Sequence, residues 1–130
     1  MINHLDHLVL TTAAEAECIR FYTEVLGMEM ETFVGGSPPV ERKAFRFGHQ
    51  KINLHVKGHE FEPKAHNPAP GSLDLCFIAA VPLAAVIARL QAARVPILEG
   101  PVLRTGATSQ IRSVYVRDPD LNLIEISEIL

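Results

Sequence analysis

A chain of 130 residues with 48% hydrophobic content is long enough to bury one real core and needs no staples. Its net charge of −3 and pI near 6.0 exclude a general attraction for nucleic acid or an anionic membrane, and no segment has the long uncharged apolar run of a spanning helix. Two cysteines, Cys18 and Cys76, make no disulfide framework, and the opening MINHLDHLVL lacks the basic start and apolar stretch of a signal peptide, so the expected compartment is the cytoplasm.

Leu5–Thr11 alternates as a strand, with His7 and Val9 on one face and Leu8 and Leu10 on the other. Thr11 or Thr12 is the expected cap of a helix in which Cys18, Ile19, Tyr22, Val25 and Leu26 recur at helical spacing, with Glu15 and Glu17 in its first turns and Gly27 as its stop. Met28–Val34 alternates again until GGSPP (Gly35–Pro39) breaks the pattern into a hairpin connection. Arg42–Phe47 and Lys51–Val56 follow as strands, the second placing Lys51, Asn53 and His55 opposite Ile52 and Leu54.

Between Lys57 and Gly71 the pattern fails, and glycines and prolines punctuate a polar run that reads as a linker. Leu73–Ile78 is a strand with Asp74 and Cys76 on one face. Val81–Ala93 is helical, with Leu83, Val86, Ile87 and Leu90 on one stripe and Pro82 suited to its first turn. Ile97–Leu98 reads as a short strand and Thr105–Gln110 as a polar loop.

The last two strands, Ile111–Val116 and Leu123–Ile129, flank the turn residues Asp118, Pro119, Asp120 and Asn122. If Ile124 and Ile126 face the core, Glu125 faces the other side of the sheet with Leu123 and Ser127. A glutamate there faces either water or a site.

Both halves therefore run strand, helix, three strands. Aligning HLVLTTA with DLCFIAA pairs His7 with Asp74, an offset of 74 − 7 = 67, and aligning KINLH with LIEIS pairs Asn53 with Glu125, an offset of 125 − 53 = 72. A loop insertion absorbs the difference.

The repeated unit, HLDHLVL with the following FYTEVLGM, and VYVRDPDLNLIEIS together resemble the vicinal oxygen chelate superfamily of glyoxalases, bleomycin resistance proteins and dioxygenases. The resemblance covers nearly the whole chain. The segments INLH, FEPKA, GSLDLCFI and EGPVLRTGA are most similar to the subgroup called glyoxalase domain-containing protein 5, with its bacterial virulence-associated relatives. It implies an α+β fold: two tandem βαβββ modules, about 1–58 and about 72–130 around a linker at about 59–71, forming a cup-shaped or barrel-like mixed sheet with helices outside, within one glyoxalase-like domain. It also implies a homodimer and a divalent metal ion (zinc, nickel, manganese or iron) with ligands on the first and last strands of each half. Carried over, these are His7, the Asn53 or His55 position, Asp74 and Glu125. The chain departs from the pattern at Asp74, commonly histidine, at Asn53, commonly glutamate or glutamine, and at Leu121, which replaces the glycine of a DPDGN turn.

Residue chemistry weighs the same candidates. A carboxylate between two isoleucines is costly to bury without a partner, which favours Glu125 as ligand or base over an idle surface residue. His7 offers an imidazole donor, against the alternative of a hydrogen-bonded core histidine, and His55 would complete a two-histidine, one-carboxylate set, against the alternative of a solvent-facing strand end. Asp74 suits a hard ion or orients His7 from outside the coordination sphere. Cys76 shares its face and Arg104 lies in a loop able to close on an anionic substrate; with Asn53 these are the candidate substrate contacts. The expected function is a metal-dependent enzyme of glyoxalase type, a lyase, isomerase or transferase, on a small vicinally oxygenated or thiol-adduct substrate. The alternatives are a metal-free small-molecule binding protein of the bleomycin-binding type and, ranked after both, a ferrous extradiol-type dioxygenase.

Overall fold

Alternating apolar and polar residues build eight strands in two four-stranded sheets, and the computed structural model describes all 130 residues, Met1–Leu130. The chain divides into two compact units, Met1–Ser72 and Leu73–Leu130, each with its own sheet. The two tandem modules read from the sequence are present as two mixed sheets with the same strand–helix–three-strand order.

In the first unit β1 (His7–Thr12) lies parallel to β4 (Gln50–Val56), which pairs antiparallel with β3 (Val40–Phe47) and β3 with β2 (Glu29–Gly35). Register places Leu10, Ile52, Leu54 and Phe45 on one face, and all four are buried. Tyr22 stacks on Phe45 at 5.1 Å, Phe21 meets Tyr22 edge-on at 5.1 Å, and Lys43 Nζ donates to Glu15 Oε1 at 2.7 Å, which seats the helical segment over this face. Each large apolar side chain buried this way stabilises the unit by roughly 1.5–3 kcal/mol.

The helical segment differs from the expected single helix. α1 (Glu15–Arg20) passes into a π-helical turn at Phe21–Val25, in which Leu26 N–H reaches the Phe21 carbonyl at 2.9 Å. The Thr23 hydroxyl donates to the Ile19 carbonyl at 2.6 Å, competing with the backbone donor that a regular α-turn requires there. No threonine caps α1: Ala14 holds the cap position, and the Thr12 hydroxyl instead accepts the Ala14 N–H at 3.0 Å.

In the second unit β5 (Asp74–Ile78) lies parallel to β8 (Leu123–Ile129), followed by antiparallel β7 (Gln110–Arg117) and β6 (Glu99–Thr105). α2 (Leu83–Ala92) presents Leu83, Val86 and Leu90, spaced three and four apart, to the face built by Val114, Val116, Ile124 and Ile126. Glu128 Oε2 accepts the Leu83 N–H at 2.9 Å, a carboxylate at the positive end of α2. The β7–β8 turn is closed by Asp118, whose Oδ1 accepts the N–H groups of Asp120 and Asn122, and Asn122 Oδ1 accepts the Leu73 N–H at 2.8 Å.

One strand was hidden from the sequence reading. The expected short strand at Ile97–Leu98 is absent, and β6 runs instead from Glu99 to Thr105 through Gly100 and Pro101. Proline lacks the ladder donor, which an edge strand tolerates, and the register shifts between Glu99 and Val102 as the strand passes these residues. Gly100, at φ +107°, lies against the Ser113 carbonyl with no room for a side chain. No helix is long and apolar enough to cross a membrane.

Candidate functional site

Each half lifts a small set of polar side chains from the face opposite its helix. In the first half, β1 and β4 align His7 with Lys51, Val9 with Asn53 and Thr11 with His55. In the second, β5 and β8 align Asp74 with Leu123, Cys76 with Glu125 and Ile78 with Ser127. The offsets of 67 and 72 read from the sequence hold in the pairing itself, since Val9 and Asn53 map onto Cys76 and Glu125.

Glu125 is half-buried, and its Oε1 is fully buried without a hydrogen bond of good geometry, although the Cys76 thiol and the Tyr115 hydroxyl lie near enough to interact with the carboxylate. Cys76 on β5 and Tyr115 on β7 are its register partners on either side. Cys76 is exposed as a residue, yet partial desolvation of its thiol raises the pKa above the ordinary value, Ser127 opposes this through a contact at 3.4 Å, and the charge and hydrogen bonding of Glu125 add to the rise. Ser127 passes the chain on to Ser113 at 2.7 Å between hydroxyl oxygens. Burial likewise raises Tyr115, the Arg104 hydrogen bond pulls it down, and Glu125 pushes it up.

Arg104 Nε donates to the Tyr115 hydroxyl at 3.0 Å and its Nη2 reaches Glu99 at 3.1 Å. A cleft of about 390 Å³ opens here, lined by Cys76, Ile78, Arg104, Tyr115, Glu125 and the loop of Gly106 to Ser109 among others. The structure thus brings three of the sequence candidates, Cys76, Arg104 and Glu125, to one cleft in the second half, with Arg104 fixed on β6 opposite Ile111 and not in the closing loop expected for it. Tyr115 was missed, although its alternation with Val114 and Val116 already put it on the face of Glu125.

The remaining candidates are placed differently. His7 is exposed and its Nδ1 is bound to Asp6 Oδ2 at 2.8 Å. His55 stands four register positions further along, about 13 Å at strand spacing, too far for two imidazoles standing out from one sheet to share an ion. His55 is buried, its Nδ1 has no partner, and burial first and Arg42 second lower its pKa while Glu60 opposes them. Asn53 is half-buried with its Oδ1 unpartnered. Asp74 is exposed at the start of β5.

His7 with Asn53, and Asp74 with Glu125, form equivalent diagonal pairs two register positions apart on adjacent strands, about 8 Å between backbones. Each half offers one such pair, and no group of three or more His, Cys, Asp or Glu side chains able to hold a metal ion occurs in the structure. The residues present in either half therefore do not amount to a coordination sphere.

Comparison with known proteins places this geometry. The chain is 54% identical over 128 residues to Virulence protein STM3117 of Salmonella typhimurium, covering 98% of this chain and 85% of that protein. The crystal structure of that protein superposes with a TM-score of 0.92, covering 100% of this chain and 99% of the other. Glyoxalase domain-containing protein RDO1 of Mycosarcoma maydis is 52% identical over 126 residues, 97% of this chain and 68% of that protein. Lactoylglutathione lyase from Agrobacterium tumefaciens, at 24% identity, TM-score 0.71 and coverage of 98% of this chain and 94% of that one, shares the fold. So does TnmS3, an antibiotic binding protein from Streptomyces, at 21%, TM-score 0.73 and coverage of 99% and 98%. Residues 4–126 match the model of the Glyoxalase/Bleomycin resistance protein/Dioxygenase superfamily, and the chain belongs to that family.

Proposed function

We propose that the chain is a glyoxalase-type enzyme that takes a small oxygenated substrate, such as a thiol adduct of a 2-oxoaldehyde, into the second-half cleft, with Glu125 as the proton-transferring base. The observation that carries this reading is the buried, unpartnered Glu125 Oε1 on the cleft wall. A buried acceptor without a donor costs about 1–3 kcal/mol, so its retention fits a group that meets its partner only when substrate enters.

In this reading Glu125 removes the proton from a carbon next to a carbonyl. The C–H bonding pair passes into an enediolate, Glu125 returns the proton to the neighbouring carbon, and the hydroxyl proton passes from the first oxygen to the former carbonyl oxygen, so the isomerisation balances without any oxidant. Arg104 holds the Tyr115 hydroxyl, and both face the developing negative charge from the same cleft. The Cys76 thiol, its pKa raised by partial desolvation and by Glu125 and its sulfur in contact with Ser127, acts as wall rather than nucleophile. A divalent ion, expected from the family resemblance, would polarise the carbonyl, but no three donors come together within either half to hold it.

A homodimer belongs to the same proposal. Both sheets end in open edge strands, β1 and β2 in one and β5 and β6 in the other, and Val9, Val34, Ile78 and Leu103 are exposed on those edges.

The test is turnover of hemithioacetals by the wild type and by Glu125→Gln. The expected result is a loss of about 10²-fold or more in kcat with an unchanged circular dichroism spectrum. Equal turnover by the two proteins would remove Glu125 from the chemistry. A second reading, a binding protein without chemistry, is favoured by the apolar walls Ile78, Ile111 and Ile129. It predicts saturable binding of an apolar ligand in the cleft and no turnover by either protein.

A further inference from the structure

The first half carries a second cluster that Glu125 and its cleft do not use. Arg42 on β3 lies one step beyond the last β3–β4 register pair, Lys43–Leu54, which sets it beside His55 on the face opposite the core. Phe61, from the irregular segment after β4, covers both: the Arg42 guanidinium carbon sits 4.3 Å from its ring centroid, and the His55 ring meets it edge-on at 5.3 Å. Beneath that ring two polar nitrogens are buried without a hydrogen-bond partner, Arg42 Nε and His55 Nδ1. His55 as a whole is only 6% exposed.

A buried Nε–H without an acceptor is costly, because guanidinium hydrogens are always present and always donors. The Phe61 ring meets the guanidinium through a cation–π contact and supplies no lone-pair acceptor for the Nε–H. The guanidinium is also given room: Gly35 and Gly36 lie against it, and a side chain on Gly36 would collide with its Nη2. Phe33, the register partner of Arg42 on β2, adds an apolar wall. Burial and the neighbouring guanidinium lower the pKa of the imidazole against the opposing pull of the Glu60 carboxylate, so Arg42 is the one fixed positive charge of the cluster.

We propose that Arg42 and His55 form a binding site for a small monocarboxylate with an apolar body, and that Phe61 is the plug that fills the site when the ligand is absent. The Arg42 Nε–H offers one donor and His55 Nδ1 a second in the tautomer that carries its proton there, so together they can meet the two oxygens of one carboxylate, and a single positive charge matches a monoanion better than a dianionic phosphate. The plug stands on a segment with no regular secondary structure, so moving it breaks no ladder. An aromatic or alkyl group on the ligand takes the place of the ring.

The full chain is titrated calorimetrically with phenylacetate and with its neutral twin, phenylacetamide. Phenylacetate is expected to bind Phe61→Ala about tenfold more tightly than the wild type, as opening a mostly closed site requires. Arg42→Gln in the Phe61→Ala background abolishes that binding, and the amide binds neither protein. Equal binding of acid and amide, or no effect of Arg42→Gln, would reduce the cluster to an apolar crevice and overturn the proposal. Should Phe61→Ala fail to fold, the ring-proton resonances of His55 in the wild type decide: they move with phenylacetate and not with the amide, and their indifference to both overturns the site.

Discussion

Asn53 and Glu125 occupy the same place in the two halves, and each carries one buried side-chain oxygen without a hydrogen bond of good geometry. The duplication has changed the charge at this position and kept the unpaired acceptor. An acceptor with no structural donor weakens the native state, so its apolar isostere is the more stable choice. Glu125→Leu is expected to raise unfolding stability by about 1 kcal/mol while abolishing activity. Urea denaturation followed by circular dichroism measures it. A loss of stability larger than that gain would mean that Glu125 is held by partners in the folded chain and serves the fold.

Asn122 is the opposite case, a polar side chain whose every bond is structural. It is 1% exposed, its Nδ2 donates to Asp118 Oδ2 at 2.8 Å, and its Oδ1 ties the turn to the start of β5 through Leu73 N–H. Asn122→Ala leaves Asp118 buried beside empty space and is expected to cost about 3 kcal/mol. Thermal unfolding checks the direction, and a midpoint within a degree of wild type would show that water replaces the amide without loss.

Two periodicities made most of the fold legible. Period-two runs such as KINLHV and LIEIS show strands and their two faces, and the duplication shows the order of elements twice. β6 was illegible because Gly100 and Pro101 read as breakers, whereas an edge strand needs only one hydrogen-bonded side. Cys76 and Glu125 could be set on one face from alternation alone. The distance that separates His7 from His55 could not, because the register between β1 and β4 depends on a pairing far apart in sequence. Phe61 against Arg42 had no sequence signal at all, since a segment without periodicity carries no face.

Donor count in each half sets how strongly an ion is held. With only the Asp74–Glu125 diagonal on one side and His7–Asn53 on the other, manganese or nickel held by one half alone is expected to bind no tighter than about 10⁻⁴ M and to leave on dialysis against a chelator. Elemental analysis after dialysis reads this directly. A stoichiometric ion that survives, and is lost in both His7→Ala and Glu125→Ala, would show that donors from more than one half meet on it.

His55 makes stability depend on pH. Its folded pKa is lowered below the ordinary 6.5, chiefly by burial and then by Arg42. The unfolded chain therefore binds a proton at a pH where the folded chain does not, and stability falls as pH drops through about 6.5 toward the folded value. Above 6.5 both states are neutral there and the effect vanishes. The urea midpoint of the wild type is expected to fall more between pH 7.5 and 5.5 than that of His55→Gln, and parallel profiles would show that the burial of His55 is not what penalises its charge.

Leu121 carries the last prediction, because the departure seen in the DPDLN turn has a backbone consequence. Leucine stands at φ +70°, the left-handed conformation that glycine adopts without cost, while its N–H closes the turn on the Asp118 carbonyl at 2.9 Å. Its side chain is 67% exposed, so little burial is lost when it is removed. Two effects oppose each other in Leu121→Gly: the unfolded chain gains backbone freedom, worth about 0.5–1 kcal/mol against folding, and the folded chain sheds a left-handed penalty of about 1–2 kcal/mol. The second is larger, so the variant is expected to be more stable by about 0.5–1 kcal/mol, seen as a higher urea midpoint at unchanged slope. Leu121→Ala, which keeps a Cβ and hence the penalty, separates strain from exposure. If alanine stabilises as much as glycine, the exposed apolar side chain and not the backbone conformation is the source of the effect.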